Sequence, residues 1–378
     1  MSDEATPAAP DLRGLLSMLA EKGGSDMFLT VGAVPHIKLE GLTQPLPAPR
    51  LMPGAVKLLV YPMMSEEQIS QFERELELDF AIGLEEIGRF RLNVYFQRGE
   101  VTLVARHVRS TVPTLAELGL PKTLEKLALR DRGLILVVGA AGSGKSSTMA
   151  AMIDHRNSSI SGHIVCIEDP IEFIHKHKRS LVDQREVGLD THSFEAALRN
   201  VLREAPDVIM LGEVRDRNGM EHAMHYAETG HLCIATLHAT SSVQAIERIV
   251  HFFPENARKQ VLNDLSLNLV AVIAQRLVPG KSQRRVLAAE VMLGTPHLRD
   301  LIKRDELHEI KDSMARAIEQ GVQTFDEHLY QHFVAGRITQ EQALKFADSR
   351  TDLSLKIRLE HSFDEEGGAE KPSGDGFF

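Results

Sequence analysis

Residues 139–146 read G-A-A-G-S-G-K-S, a complete G-x-x-x-x-G-K-[ST] loop, and this motif works only where a strand turns into a helix. Residues 134–138, L-I-L-V-V, form a short continuous apolar run of the kind that makes a strand buried on both faces. Beyond the loop, Met149, Met152 and Ile153 fall at helical spacing within 147–160. A turn of this kind points successive backbone N–H groups at an anion, and the helix N-terminus adds about half a positive charge at the same point. The expected cradle runs through Gly139, Ala140, Ala141, Gly142, Ser143, Gly144, Lys145, Ser146 and Ser147. In it Lys145 reaches the β- and γ-phosphates and the Ser146 hydroxyl ligates Mg²⁺.

At 378 residues the chain exceeds one ordinary domain, and a hydrophobic fraction of 43% suffices for two cores. The formal charge of −10 disfavours nucleic acid as a partner, because a protein that tracks along phosphates needs a basic face. Residues 1–4, M-S-D-E, are acidic and no apolar run approaches the length of a membrane span, which predicts a cytosolic protein without signal peptide or transmembrane helix. Cys166 and Cys233 sit inside apolar, strand-like runs, as reduced core thiols would, and not as a disulfide or four-cysteine zinc framework.

The fold expected is α/β, two units with strands and helices mixed in different ways. Residues 1–10 read as a flexible lead and 11–111 as one α+β domain. That domain has a helix stripe at Leu12, Leu15, Leu16 and Leu19, strands over 27–31 and 36–40, a helix over 66–77, and further strands over 79–82 and 89–97. Phe90, Leu92, Val94 and Phe96 alternate with Arg89, Arg91, Asn93, Tyr95 and Gln97, so one face of that last strand is polar and arginine-bearing. Residues 112–122 read as a linker. From 123 to 293 strands and helices alternate, the pattern of a parallel sheet covered on both faces. Residues 294–360 read as helical and 361–378 as a disordered tail.

Three more constellations follow the loop. Residues 163–167 end in Glu168-Asp169-Pro170, which puts carboxylates at the exit of a buried strand, where ligands of open parallel sheets sit; a turn or helix cap is the alternative. The strand 208–211 ends in Gly212 and Glu213, a carboxylate placed to hold a metal's water shell or polarise a nucleophile. The strand 232–236 delivers Thr236 and His238 to the same edge, where a hydroxyl or neutral imidazole can sense a γ-phosphate or serve only packing. His175 with His177, and His222 with His225 and His231, raise a zinc question that the absence of nearby cysteines argues against.

The loop, I-E-D-P-I-E-F-I-H at 167–175, A-P-D-V-I-M-L-G-E-V-R-D at 205–216 and T-G-H-L-C-I-A-T-L-H at 229–238 resemble the Walker A, Asp box, Walker B and His box of the secretion ATPases. G-S-D-M-F-L from Gly24 and G-R-F-R-L-N from Gly88 resemble the type IV pilus retraction ATPases, the PilT/PilU family. R-E-V-G-L-D at 185–190, L-R-E-A-P at 202–206 and H-F-F-P at 251–254 look closer to its PilU branch. Ala140-Ala141 and Ser147 depart from the usual loop residues at positions that contribute mainly backbone.

The resemblance covers nearly all of 12–359. It implies a homo-hexameric ring with a PAS-like N-terminal domain and a RecA-like ATPase domain that uses ATP and Mg²⁺ to support pilus retraction and twitching motility. Its implied partners are the inner-membrane pilus platform and a paired retraction ATPase. It also implies Glu168 as catalytic base or water positioner, Glu213 as Walker B acid, His238 as γ-phosphate sensor, His231 as a weaker His-box member, and Arg91 and Arg106 as the arginines that complete the site. Two other classes remain in view: an ATP-binding accessory subunit with little turnover alone, and a DNA-translocating motor, disfavoured by charge.

Overall fold

The structure is a computed structural model, and it describes residues 11–39, 41–282, 285–317 and 321–366, with side chains to residue 360. The lead expected over 1–10, the last residue of the strand expected over 36–40 and the tail beyond 366 lie outside the described residues. Two compact units emerge among the described residues: those up to 112 with 171–175 and 188–190, and the others.

In the first unit α1 (Leu12–Glu21) is capped by Asp11, whose carboxylate accepts the Gly14 N–H at 2.8 Å, and it buries Leu12, Leu15, Leu16 and Leu19. Strands β1 (Asp26–Leu29), β2 (His36–Leu39) and β3 (Leu42–Pro45) precede α2 (Ala55–Val60) and α3 (Glu66–Glu75). Strands β4 (Glu77–Leu84), β5 (Gly88–Gln97) and β6 (Glu100–Val108) follow. The six strands form one antiparallel sheet in the order β3-β2-β1-β6-β5-β4.

Phe90, Leu92 and Val94 are buried in a core shared with α1 and α3, and Phe96 stacks on Phe72 of α3 at 4.9 Å. Arg89, Arg91 and Asn93 take the other face, as the alternation of β5 dictates. The pattern alone does not announce β3, α2 or β6. All four residues of β3 are exposed at the sheet edge, α2 has only six residues, and β6 breaks the alternation by burying Val101, Thr102 and Leu103 in succession.

The second unit opens with α4 (Thr123–Ala128), β7 (Gly133–Gly139), α5 (Lys145–Ser159), β8 (His163–Glu168), β9 (Leu181–Glu186), α6 (Phe194–Asn200) and β10 (Val208–Leu211). It continues with α7 (Arg217–Glu228), β11 (Leu232–Leu237), α8 (Ser242–His251), α9 (Arg258–Asn268), β12 (Leu269–Pro279) and β13 (Arg285–Leu293). Helices α10 (Pro296–Lys303), α11 (Ile310–Arg316), α12 (Phe325–Val334), α13 (Gln340–Phe346) and α14 (Arg350–Glu366) close the chain, α14 running past residue 361.

The sheet order is β13-β12-β7-β11-β10-β8-β9, parallel except for β13. Along β7, Leu134, Leu136 and Val138 join one core with Tyr226, Ile246 and Leu265, while Ile135 and Val137 join another with Met149, Met152 and Leu124. Cover on both faces is why β7 reads as an unbroken apolar run. The antiparallel β12–β13 pair departs from the all-parallel alternation expected over 123–293, since residues 280–284 are too few for a crossover, which needs about a dozen. Leu298, Phe325, Leu329 and Leu353 of the last helices pack into the same core as the sheet.

Because β7, β8, β10 and β11 run parallel, the loop and all three strand-end constellations come to one edge of the sheet.

Candidate active site

Residues 140–144 carry the chain from β7 into α5, with Gly142 at φ 73° and Gly144 at φ 94°, left-handed conformations that suit glycine. At Gly139 the reason is space: a Cβ would lie 2.3 Å from Ser143 Oγ and 2.7 Å from the Gln275 carbonyl oxygen of β12. Gln275 is itself pinned beneath the helix, its Nε2 donating to Thr148 Oγ1 at 2.6 Å. Lys145 Nζ donates to the carbonyls of Gly139 at 2.8 Å and Ala140 at 3.1 Å, so the ammonium lies along the inner rim of the loop. Burial holds its pKa below the usual lysine value, and the charge of Glu213 offsets part of that. Ser143 Oγ is buried without a partner and Ser146 stands exposed in the first turn of α5. A cradle with a lysine on its rim and a helix N-terminus behind it fits a triphosphate.

Glu168 ends β8 with 8% of its surface exposed and accepts a hydrogen bond from Gln184 Nε2 of β9 at 2.9 Å. Beside it the exit of β10 passes so closely that a Cβ on Gly212 would sit 3.2 Å from Glu168 Cα. Glu213 comes next. Its Oε1 lies 2.9 Å from His238 Nε2, and its Oε2 accepts from Arg215 Nε at 3.0 Å. The acid that follows β10 and the strand-end histidine therefore meet directly. A cleft of about 460 Å³ joins Gly139 and Ala140 of the loop to His238 and to Gln244, Arg248 and His251 of α8.

Several expectations need correction. Thr236 reaches the correct edge, but its hydroxyl donates to the Gly212 carbonyl and is 4% exposed, so it bolts β11 to the exit of β10 and is not free to sense a phosphate. His231 precedes β11 at the level of Gly133, whose N–H it accepts at 3.0 Å. It thus lies a strand length, roughly 20 Å, from the phosphate loop of its own chain.

Arg91 and Arg106 belong to the first unit, facing each other across β5 and β6, and Arg106 Nε donates to Asp26 Oδ1 at 2.8 Å. Hydrogen bonding to Asp26 is the chief cause of the raised Arg106 pKa. Among the described residues no group of three or more His, Cys, Asp or Glu is arranged to hold a metal, and no helix is long and apolar enough to cross a membrane. Cys166 and Cys233 are buried free thiols with pKa values pushed up by burial. The sequence does not announce the roles of Gln184, whose partner Glu168 lies 16 residues away, or of Arg215, which joins Glu213, two residues back, to Asp169, 46 residues away.

Residues 78–345 match the family model described as type II/IV secretion system protein. The type IV pilus ATPase PilU of Pseudomonas aeruginosa is 53% identical over 348 residues, 91% of each chain. The type IV pilus retraction ATPase PilT of the same organism is 40% identical, over 88% of this chain and 97% of that one. The crystal structure of the pilus retraction motor PilT with bound ADP superposes with a TM-score of 0.85 at 41% identity, covering 92% of this chain and 99% of that chain.

Proposed function

The chain belongs to the type II/IV secretion system protein family, within its PilT and PilU group of pilus ATPases, and on that premise we propose that it is an ATP-hydrolysing motor subunit supporting pilus retraction and twitching motility. One observation carries the reading: the phosphate loop and the Glu213–His238 pair stand at the same sheet edge, where a cleft joins Gly139 and Ala140 of the loop to His238.

In this reading Lys145 and the loop N–H groups bind the phosphates. Ser146, and Glu213 through the metal's water shell, would hold Mg²⁺, which when bound would offset phosphate charge. Glu168 orients the attacking water, and its near-complete burial beside the Gln184 amide suits a carboxylate that must aim in one direction. His238 exchanges its Glu213 partner for the γ-phosphate, so that triphosphate and diphosphate are told apart. For Arg91 and Arg106 the proposed role is charge stabilisation on the transferring phosphate, a contribution worth about 10³- to 10⁵-fold in rate where an arginine supplies it. The proposal extends to a homo-hexameric ring in the cytoplasm, docked at the inner-membrane pilus platform and able to work beside a paired retraction ATPase.

The test is ATP turnover by the purified protein, alone and with the paired ATPase. Lys145→Ala should abolish turnover while leaving the fold intact, and Glu213→Gln should bind ATP without hydrolysing it. Retained turnover in Lys145→Ala would refute the assignment, and turnover seen only with the paired ATPase would make this chain the accessory member.

A further inference from the structure

Arg215 follows Glu213 by two residues, and its guanidinium spans two carboxylates from different strands. Nε and Nη2 both lie 3.0 Å from Glu213 Oε2, while Nη1 lies 3.3 Å from Asp169 Oδ2, just past the end of β8. The other oxygen of Glu213 faces His238. From this arrangement we infer that Arg215 is a positioning residue for ATP hydrolysis, a clamp that fixes one oxygen of Glu213 and ties the exits of β8 and β10 together.

The inference rests on the reading of Glu213 as the acid at the metal. Glu213 is faced by Lys145 from α5, by His238 from beyond β11, and by Arg215, which also carries Asp169. Of these partners, His238 and Lys145 are the ones the proposed reaction draws onto the phosphates. Arg215 alone has nothing to gain by moving, since both groups it holds are carboxylates.

With one carboxylate oxygen anchored, the other is left at a defined place for a water of the metal shell. Without the anchor, Glu213 and Asp169 repel each other and the Glu213 side chain regains its rotamers. A planar fork with donors on two edges holds both carboxylates in a fixed geometry; an ammonium, a point charge on a flexible stem, holds them less definitely. The Arg215 side chain is 61% exposed, so its loss spares the core. Partners that orient a metal's ligands contribute about 10- to 100-fold in affinity or activity.

The test compares Arg215→Gln, Arg215→Lys and Glu213→Gln with the parent protein in steady-state ATP turnover with saturating Mg²⁺, with thermal midpoints recorded on the same samples. A clamp predicts that Arg215→Gln loses about 10- to 100-fold in kcat with KM for ATP within about threefold, that Arg215→Lys recovers part of the loss, and that midpoints hardly move. A rise in KM of tenfold or more would overturn the clamp by showing that the arginine binds the nucleotide itself. An unchanged kcat in Arg215→Gln, with Glu213→Gln inactive, would overturn it while sparing the assignment of Glu213. Full turnover in Glu213→Gln would remove the premise itself.

Discussion

Acid should loosen the second unit through one buried imidazole. His328 and His332 stack on α12 at 4.2 Å between ring centroids, 4% and 2% exposed, against the outer edge of β13. His328 Nδ1 accepts the Ala289 N–H at 3.0 Å, and His332 Nε2 donates to the Leu287 carbonyl at 2.9 Å. The pair therefore completes an edge strand that would otherwise offer open hydrogen-bonding groups. A proton on Nδ1 of His328 would meet the Ala289 N–H head on. Burial, then the charges of His332 and Arg337, hold the His328 pKa down at about 3, against 6.5 for an ordinary histidine.

The folded pKa lies below the unfolded one, so the contribution of neutral His328 is complete above pH 6.5 and is lost as pH falls from there towards 3. Each unit is about 1.4 kcal/mol, and between pH 7 and pH 5 the unfolded chain takes up almost a full proton that the fold refuses, which withdraws about 2 kcal/mol. For a unit of this size that is a fall of about 4 °C in melting midpoint. Calorimetry at pH 7 and pH 5 on the parent and on His328→Asn, whose Oδ1 can take the Ala289 N–H, reads the effect. The parent should fall about 4 °C further than the variant. Parallel falls would refute the reasoning, because they would mean that His328 gains its proton in the folded state as readily as in the unfolded one.

Gly139→Ala places a methyl group 2.3 Å from Ser143 Oγ and 2.7 Å from the Gln275 carbonyl oxygen, so the loop must shift. ATP affinity measured by calorimetric titration should fall by at least about tenfold, or ~1.4 kcal/mol, and unchanged affinity would mean that the loop adapts freely. Gln184→Met removes the amide that donates to Glu168 Oε1 and leaves a mostly buried carboxylate one donor short. It should lower kcat by about tenfold with little change in ATP binding, and a change in binding alone would place Glu168 at the phosphates instead of the water.

What the sequence made legible was whatever depends on neighbours in the chain. The G-A-A-G-S-G-K-S loop, the apolar run of β7 and the acids that terminate β8 and β10 are local patterns, and parallel pairing of those strands then brings them to one edge. Cross-strand chemistry was not legible. Thr236 looks like a free hydroxyl until the Gly212 carbonyl is seen beside it, and His231 looks like a partner of His238 until β11 separates them by its full length. Strand β13 carries the same apolar composition as its parallel neighbours, so only its short connection and the His328–His332 cover distinguish an antiparallel edge.

The partners at the sheet edge differ in how readily they are given up. Lys145 is held by the carbonyls of Gly139 and Ala140, neutral acceptors within its own loop, so a phosphate that brings full negative charge competes with an advantage. His238 is bound by one contact to Glu213, and a metal held by the same carboxylate would weaken that contact. Arg215 holds two carboxylates at once and stays. On the proposed reading, binding at this edge would free one cation and one imidazole for the phosphates while the acid between them keeps its anchor, a division of labour set by the charge of each partner and by the number of contacts each would have to break.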